Sequence, residues 1–182
     1  MLKLSENPPI IYPEESPLEE IEGPWWVAHT KSRNEKALAF AFAHFNIPYF
    51  LPLIEKVTKR KSRVYKTLLP LFSGYVFFSG NSEARHQALA TNRIANVIEV
   101  VEQGQFVREL VPIYRAITSG LPMDPHPSLK SGDRCRVTAG SLVDCEGIVL
   151  RKKNQTKILL QVDILGQAAA VEIAAELLEP IE

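Results

Sequence analysis

The spacing of apolar positions changes repeatedly along the chain, and each change marks an element. Trp25-Trp26-Val27-Ala28-His29-Thr30 is aromatic and β-branched and predicts a strand. Ala37, Leu38, Ala41, Phe42 and Phe45 then recur at helical spacing. Ser32-Arg33-Asn34-Glu35 fits a capping box for that helix, the serine hydroxyl taking a free N–H and the glutamate reaching back. Asn46-Ile47-Pro48 ends it, because a residue before proline avoids helical angles. Strand-like segments at 49–58 and 64–69 flank Lys59-Arg60-Lys61-Ser62-Arg63, which predicts a hairpin with a basic tip. Residues 73–78 predict another strand, closed by Ser79-Gly80, and Asn81 or Ser82 can cap a second helix running to about Thr91. Residues 95–101 read as a strand of buried type. Leu110, Ile113, Tyr114 and Ile117 stand at i, i+3, i+4 and i+7, which predicts a short third helix, with Pro112 tolerated only in its first turn.

The order strand, helix, strands, helix, strand, helix predicts an α+β domain over 24–118, an antiparallel sheet with flanking helices. Residues 119–129 hold Gly120, Pro122, Pro125 and Pro127 with little periodicity and read as a semi-rigid linker. Short strands follow at 134–138, 146–152, 156–164 and 169–173, which makes 130–182 a small β domain. Residues 167–178 are rich in Ala, Glu and Leu and also suit a helix; strand then turn is the preferred reading. Ahead of all this, residues 1–23 set Pro8, Pro9, Pro13 and Pro17 among six glutamates and read as a disordered acidic leader.

Composition narrows the function. A chain of 182 residues with zero formal net charge holds one ordinary domain or two small ones and is no general binder of polyanions. Its charge is local. Residues 56–66 carry Lys56, Lys59, Arg60, Lys61, Arg63 and Lys66 with no acid, a tip able to neutralise nucleic-acid phosphates without reading bases, or else to protect a strand edge. No apolar run nears the ~18–20 residues that cross a bilayer, and the N-terminus is no secretory signal, so a cytoplasmic protein is expected. Cys135 and Cys145 are too few for a disulfide framework and read as two small buried thiols. They and the histidines at 29, 44, 86 and 126 make no spaced metal set. No phosphate-cradling glycine loop or nucleophile elbow is present. A non-enzymatic binding protein without metal or cofactor is therefore expected.

Two segments sharpen that expectation. Leu71-Phe72-Ser73-Gly74-Tyr75-Val76 places a glycine at a strand start between aromatics, an arrangement that also suits simple core packing. Residues 130–150 alternate at Cys135 and Val137, turn at Ala139-Gly140-Ser141, and resume after Gly147 at Ile148 and Leu150. The second resembles the KOW motif of small five-stranded barrels. The first, behind a Trp-Trp strand, a helix and a basic hairpin, resembles the N-terminal (NGN) domain of NusG-type transcription elongation and antitermination factors, whose matching segment usually reads Phe-Pro-Gly-Tyr-Val; Ser73 replaces the proline here. The resemblance covers residues 25–180. The acidic leader and basic hairpin look more like the specialised, RfaH-like paralogues than the housekeeping factor.

The resemblance implies an NGN-like domain followed by an SH3-like five-stranded KOW β-barrel, and a factor that binds RNA polymerase and suppresses pausing or termination at particular operons. The alternatives are a housekeeping NusG acting with Rho, and a KOW-type RNA- or ribosome-binding protein. It implies a clamp-helix site on the largest polymerase subunit's behalf at His29, Phe72, Tyr75 and Phe77, with His86 at a contact to the opposite jaw. Replacing Phe72 and Tyr75 with alanine is expected to abolish that binding and leave the fold intact. Lys31, Arg33 and Arg93 fall where specialised paralogues touch non-template DNA, and the tip residues Lys59, Arg60, Lys61 and Arg63 would serve upstream or non-template DNA. Arg134, Arg136, Arg151, Lys152 and Lys153 would form a basic edge toward a small-subunit ribosomal protein or Rho.

Overall fold

The computed structural model describes residues 4–14, 16–60, 63–126, 132–152 and 155–181, with two compact units, Met1–Gln103 and Gly104–Glu182. In chain order the first unit holds β1 (Ile11–Tyr12), β2 (Trp25–Thr30), α1 (Glu35–His44), β3 (Tyr49–Phe50), β4 (Leu53–Arg60), β5 (Arg63–Pro70), β6 (Tyr75–Ser79), α2 (Ser82–Ala90) and β7 (Ile94–Glu99). Its antiparallel sheet runs β1-β3-β6-β2-β7, and β4-β5 form a separate two-stranded ribbon. Alternation along β2 and β6 sorts the side chains, with Ala28 opposite Val76 on one face and Val27 opposite Phe77 on the other. Leu38, Ala39 and Phe42 of α1 and Ala88 of α2 pack on the first face with Ala28, Val76 and Phe78. The Asn81 side chain accepts from the Ala84 N–H at 3.0 Å and caps α2. The Arg85 guanidinium lies 5.4 Å over the Trp26 ring, a cation–π contact.

Two expectations for this unit change. The acidic leader, read as disordered, is strapped to the sheet: β1 pairs with β3, the Leu51 N–H donates to the Ile10 carbonyl at 2.7 Å, and the Tyr49 hydroxyl donates to the Pro9 carbonyl at 3.0 Å. Ile11, Leu18 and Ile21 are buried. Too sparse for a core of their own, the leader's apolar residues fold in with β1, which covers the open edge of β3, whose backbone groups need partners. The capping box does not form. The helix begins at Glu35 after Asn34, Ser32 is exposed, and the Glu35 carboxylate reaches another element. The expected hairpin is present, β4 and β5 pairing antiparallel from Leu53–Pro70 to Arg60–Arg63.

The second unit begins with α3 (Gln103–Thr118), followed by β8 (Met123–His126), β9 (Arg134–Val137), β10 (Glu146–Lys152), β11 (Gln155–Val162), β12 (Gln167–Glu172) and β13 (Leu178–Pro180), the strands ordered β13-β9-β10-β11-β12-β8. Pro112 sits mid-helix and buried rather than in the first turn. Residues 123–126, expected within the linker, pair with β12 as a sixth strand. Pro125 is tolerated there because β8 is an edge, where a missing donor is not needed. Residues 167–172 are strand, as preferred over helix.

The α3 helix, expected to close the N-terminal domain, groups with this second unit. Its Glu109 Oε2 accepts from the Asp163 N–H at 3.1 Å, and the Gln105 amide donates to Glu109 Oε1 at 2.8 Å and Asp163 Oδ2 at 3.2 Å. Burial pushes the Glu109 carboxyl up, so the folded state holds that proton more tightly than the unfolded chain. Its contribution to stability is full below the ordinary carboxylate range and is lost as pH rises through the raised value. Thermal melts of the full chain from about pH 4 to about pH 7 should show this component in the parent and not in Glu109→Gln, which keeps an acceptor oxygen.

Gly147, the second glycine of the β9–β10 segment, faces Cys135 across the ladder. A Cβ there would lie 2.5 Å from the Leu159 carbonyl oxygen and 2.6 Å from Ile158 Cγ1. Cys135 and Cys145 are free, buried thiols, both pushed up by burial.

Candidate functional site

The β2–β6 end nearest residues 72–75 is built around one peptide unit. Gly74 takes φ +87, left-handed backbone that glycine adopts without strain. Its N–H donates to Glu35 Oε1 at 2.7 Å and its carbonyl accepts from the Thr30 N–H at 2.8 Å. The Tyr75 N–H closes the turn onto the Phe72 carbonyl at 3.2 Å. Directly beyond, the rings of His29 and Tyr75 stack 5.1 Å apart across the strand pair. His29 is exposed and Tyr75 half-buried. Phe77 continues the same face, edge-on to Phe72 at 6.0 Å and stacked with Phe50 at 6.2 Å. Phe72 and Phe77 are 1% and 0% exposed, so of the four expected contact residues only His29 and Tyr75 present ring surface.

Beside that stack lie the expected DNA-contacting residues of the two loops. β2 shifts register at His29/Thr30 and pairs Thr30 with Ile94, which brings residues 31–34 against 91–93. The Lys31 N–H donates to the Arg93 carbonyl at 2.8 Å, and the Lys31 ammonium to Asn92 Oδ1 at 2.7 Å. The Arg93 guanidinium donates to Asn34 Oδ1 at 3.0 Å. Arg33 is exposed at φ 59. Lys31, Arg33 and Arg93 are thus brought together, as the separate sequence positions did not reveal.

The other expected residues are dispersed. His86 is exposed on α2, the helix-covered side of the sheet, away from the His29–Tyr75 face. Lys59 is exposed near the end of β4, Lys66 is paired to Glu55 at 2.9 Å, and Arg60 and Arg63 are placed by backbone register alone. Lys61 and Lys153 lie outside the described residues. Arg151 and Lys152 pair with Thr156 and Gln155 at the far end of β10. Arg134 and Arg136 both bond Glu146, at 3.1 and 2.8 Å. The Arg136 guanidinium holds the Glu146 carboxyl below its usual range. Two of the five residues of the expected basic edge therefore already share one carboxylate, a partner that the strand spacing did not suggest. Among the described residues no group of His, Cys, Asp and Glu could hold a metal ion, and no helix is long and apolar enough to cross a membrane.

Sequence reasoning missed Glu35 and Gln103. Gln103 closes the far end of β2, its Oε1 accepting from the Trp25 N–H at 2.8 Å and its amide donating to the Trp25 and Val100 carbonyls at 3.0 and 2.8 Å. A lone polar residue after a strand carries no local signal for such a role.

The family model described as transcription termination factor NusG matches residues 23–116, more than half of the 182-residue chain. The chain belongs to the NusG family. The matched span contains His29, Lys31, Arg33, the β4–β5 ribbon, Phe72, Tyr75, Phe77, His86 and Arg93. A solved structure of Thermotoga maritima NusG, described for its domain interaction, is 19% identical with a TM-score of 0.51, over 88% of this chain and 98% of that one. At that identity the likeness shows the fold. A structure of the MjSpt4:Spt5 complex is 12% identical with a TM-score of 0.26, over 87% of this chain and 97% of that one. No curated protein sequence matches. As a NusG-family member the chain is a transcription elongation or termination factor. Its leader and its C-terminal sheet lie outside the matched residues.

Proposed function

We propose that this NusG-family chain binds RNA polymerase at the clamp helices of the largest subunit through the His29–Tyr75 end of its N-terminal sheet, and acts as an RfaH-like antitermination factor. The observation that carries this reading is the exposed His29–Tyr75 stack set beside the Lys31–Arg33–Arg93 loops. Flat rings give a partner large contact area at low rotamer cost, while adjacent cations can hold the phosphates of non-template DNA. The ribbon of β4 and β5 extends the same electrostatic reach toward upstream DNA. His86, exposed on the other side of the sheet, would meet the opposite jaw.

Bound across the channel, the factor would favour the closed, moving polymerase over the paused one. It shifts that equilibrium only by its differential affinity for the two states, and about 1.4 kcal/mol of preference is a tenfold change. The C-terminal sheet would serve as the KOW domain, holding a small-subunit ribosomal protein or Rho. Of its basic edge, Arg134 and Arg136 would act with Glu146 already bound to both.

The test is capture of purified core RNA polymerase by the full chain beside His29→Ala/Tyr75→Ala. Capture by the parent and its loss in the folded double variant is the expected result. Equal capture by both removes this site, and no capture by either removes polymerase binding.

A further inference from the structure

We infer that Glu35 is a positioning residue for the polymerase-facing turn, an inference that rests on the binding site proposed above. Glu35 is 7% exposed, and a buried charge is costly unless hydrogen-bonded. The first residue of α1 lies at the positive end of the helix dipole, which offsets part of that cost. The carboxylate's bond goes to another element, from the Gly74 N–H to Oε1 at 2.7 Å, a charge-assisted bond stronger than a neutral one.

What that bond fixes is the ring stack. A Cβ on Gly74 would lie 3.6 Å from His29 Cδ2 and 3.7 Å from Nε2, so the Gly74 backbone sits against the imidazole. The next residue, Tyr75, supplies the other ring. With Thr30 holding the Gly74 carbonyl, the peptide plane is pinned from both sides. Removing the carboxylate frees one side, orphans the Gly74 N–H, and lets the turn rotate away from the geometry that places both rings. Glu35 touches neither polymerase nor nucleic acid; it acts through Gly74.

The experiment uses the full chain as Glu35→Ala and Glu35→Gln, with Leu38→Ala, buried on the same helix, as a control for general destabilisation. Three quantities are measured: melting temperature, affinity for core RNA polymerase, and the chemical shift of the Gly74 amide proton. Glu35→Ala should bind about tenfold more weakly or worse. Glu35→Gln, which keeps an acceptor oxygen, should recover much of that loss, and the Gly74 amide proton should move upfield in the order parent, Gln, Ala. Leu38→Ala should melt earlier yet keep near-parental affinity per folded molecule and an unmoved Gly74 signal. Affinity in the Glu35 variants that merely follows their melting temperatures along the Leu38→Ala line, or an unmoved Gly74 signal, overturns the inference. If Glu35→Ala does not fold, the parent–Gln comparison of amide shift and affinity decides it alone. Failure of the parent to bind polymerase removes the site itself and the inference with it, whereas parental binding with unaffected Glu35 variants removes the inference only.

Discussion

Phe72→Ala is expected to lower the folding stability of the first unit by about 3–5 kcal/mol, and Tyr75→Ala to lower it far less. Phe72 is 1% exposed and meets Phe77 edge-on at 6.0 Å. Truncation there removes apolar contact area and leaves a void beside the buried Phe77 ring, which keeps its stack with Phe50 at 6.2 Å. With total stabilities of about 5–15 kcal/mol, a loss of that size is a large fraction of the whole. Tyr75 is half-buried and stacks on an exposed histidine, so its truncation opens to water rather than into a cavity. Urea unfolding of the two single variants checks this, and equal midpoints would show that Phe72 is not packed as described. The consequence for function is direct. A Phe72/Tyr75 double variant confounds binding with folding, against the expectation from sequence that it would leave the fold intact. His29→Ala/Tyr75→Ala is the informative pair.

Gly147→Ala should have the larger effect on the second unit. The added methyl would sit 2.5 Å from the Leu159 carbonyl oxygen and 2.6 Å from Ile158 Cγ1, and the nearest of these is backbone. β10 and β11 pair Ile148 with Leu159, so relief means separating two strands in the middle of the sheet. Overpacking commonly costs about 1–3 kcal/mol and more where backbone must move, and a small sheet has little to spare. Gly140→Ala is the matched control: it has φ +88 with nothing within 4 Å of an added Cβ, so only the ~1–2 kcal/mol left-handed penalty applies. Far-UV circular dichroism and thermal melts of the full chain should show loss of strand signal in Gly147→Ala and a modest shift in Gly140→Ala. Parental melting of Gly147→Ala would contradict the close approach.

Much of the fold was legible because it follows from local periodicity. Strands β2, β6, β9, β10 and β11 and the helices α1 and α2 lie where the pattern of residues places them, and Asn81 caps α2 as its side chain suggests; β7 falls where expected but is a largely exposed edge strand, not one of buried type. Misreadings fall where a residue's partner is distant in sequence. Ser32-Arg33-Asn34-Glu35 has the letters of a capping box, yet Gly74 competes for the carboxylate and wins. Pro125 looks like a chain breaker, yet it lies in the edge strand β8, where a missing N–H costs no ladder bond, and the leader's prolines flank β1 without preventing its pairing. Of the site, the residue types were legible and their exposure was not. Phe72 and Tyr75 are near neighbours of similar character, and only the turn at Gly74, with Phe72 before it and Tyr75 opening β6, separates the buried ring from the accessible one.

The sequence by itself determined the order of elements, the glycine positions and the family, because these depend on side-chain type and on spacing along one segment. The tertiary structure alone decided which charges remain available and which aromatics can meet a partner. Arg134 and Arg136 face Glu146 across a ladder, Lys31 and Arg93 meet through a register shift, and the Glu35 carboxylate turns away from its own helix to hold Gly74. Hydrogen bonds and ion pairs act over a few ångströms of space whatever the separation along the chain, so the partner of each charge exists only once the strands are aligned.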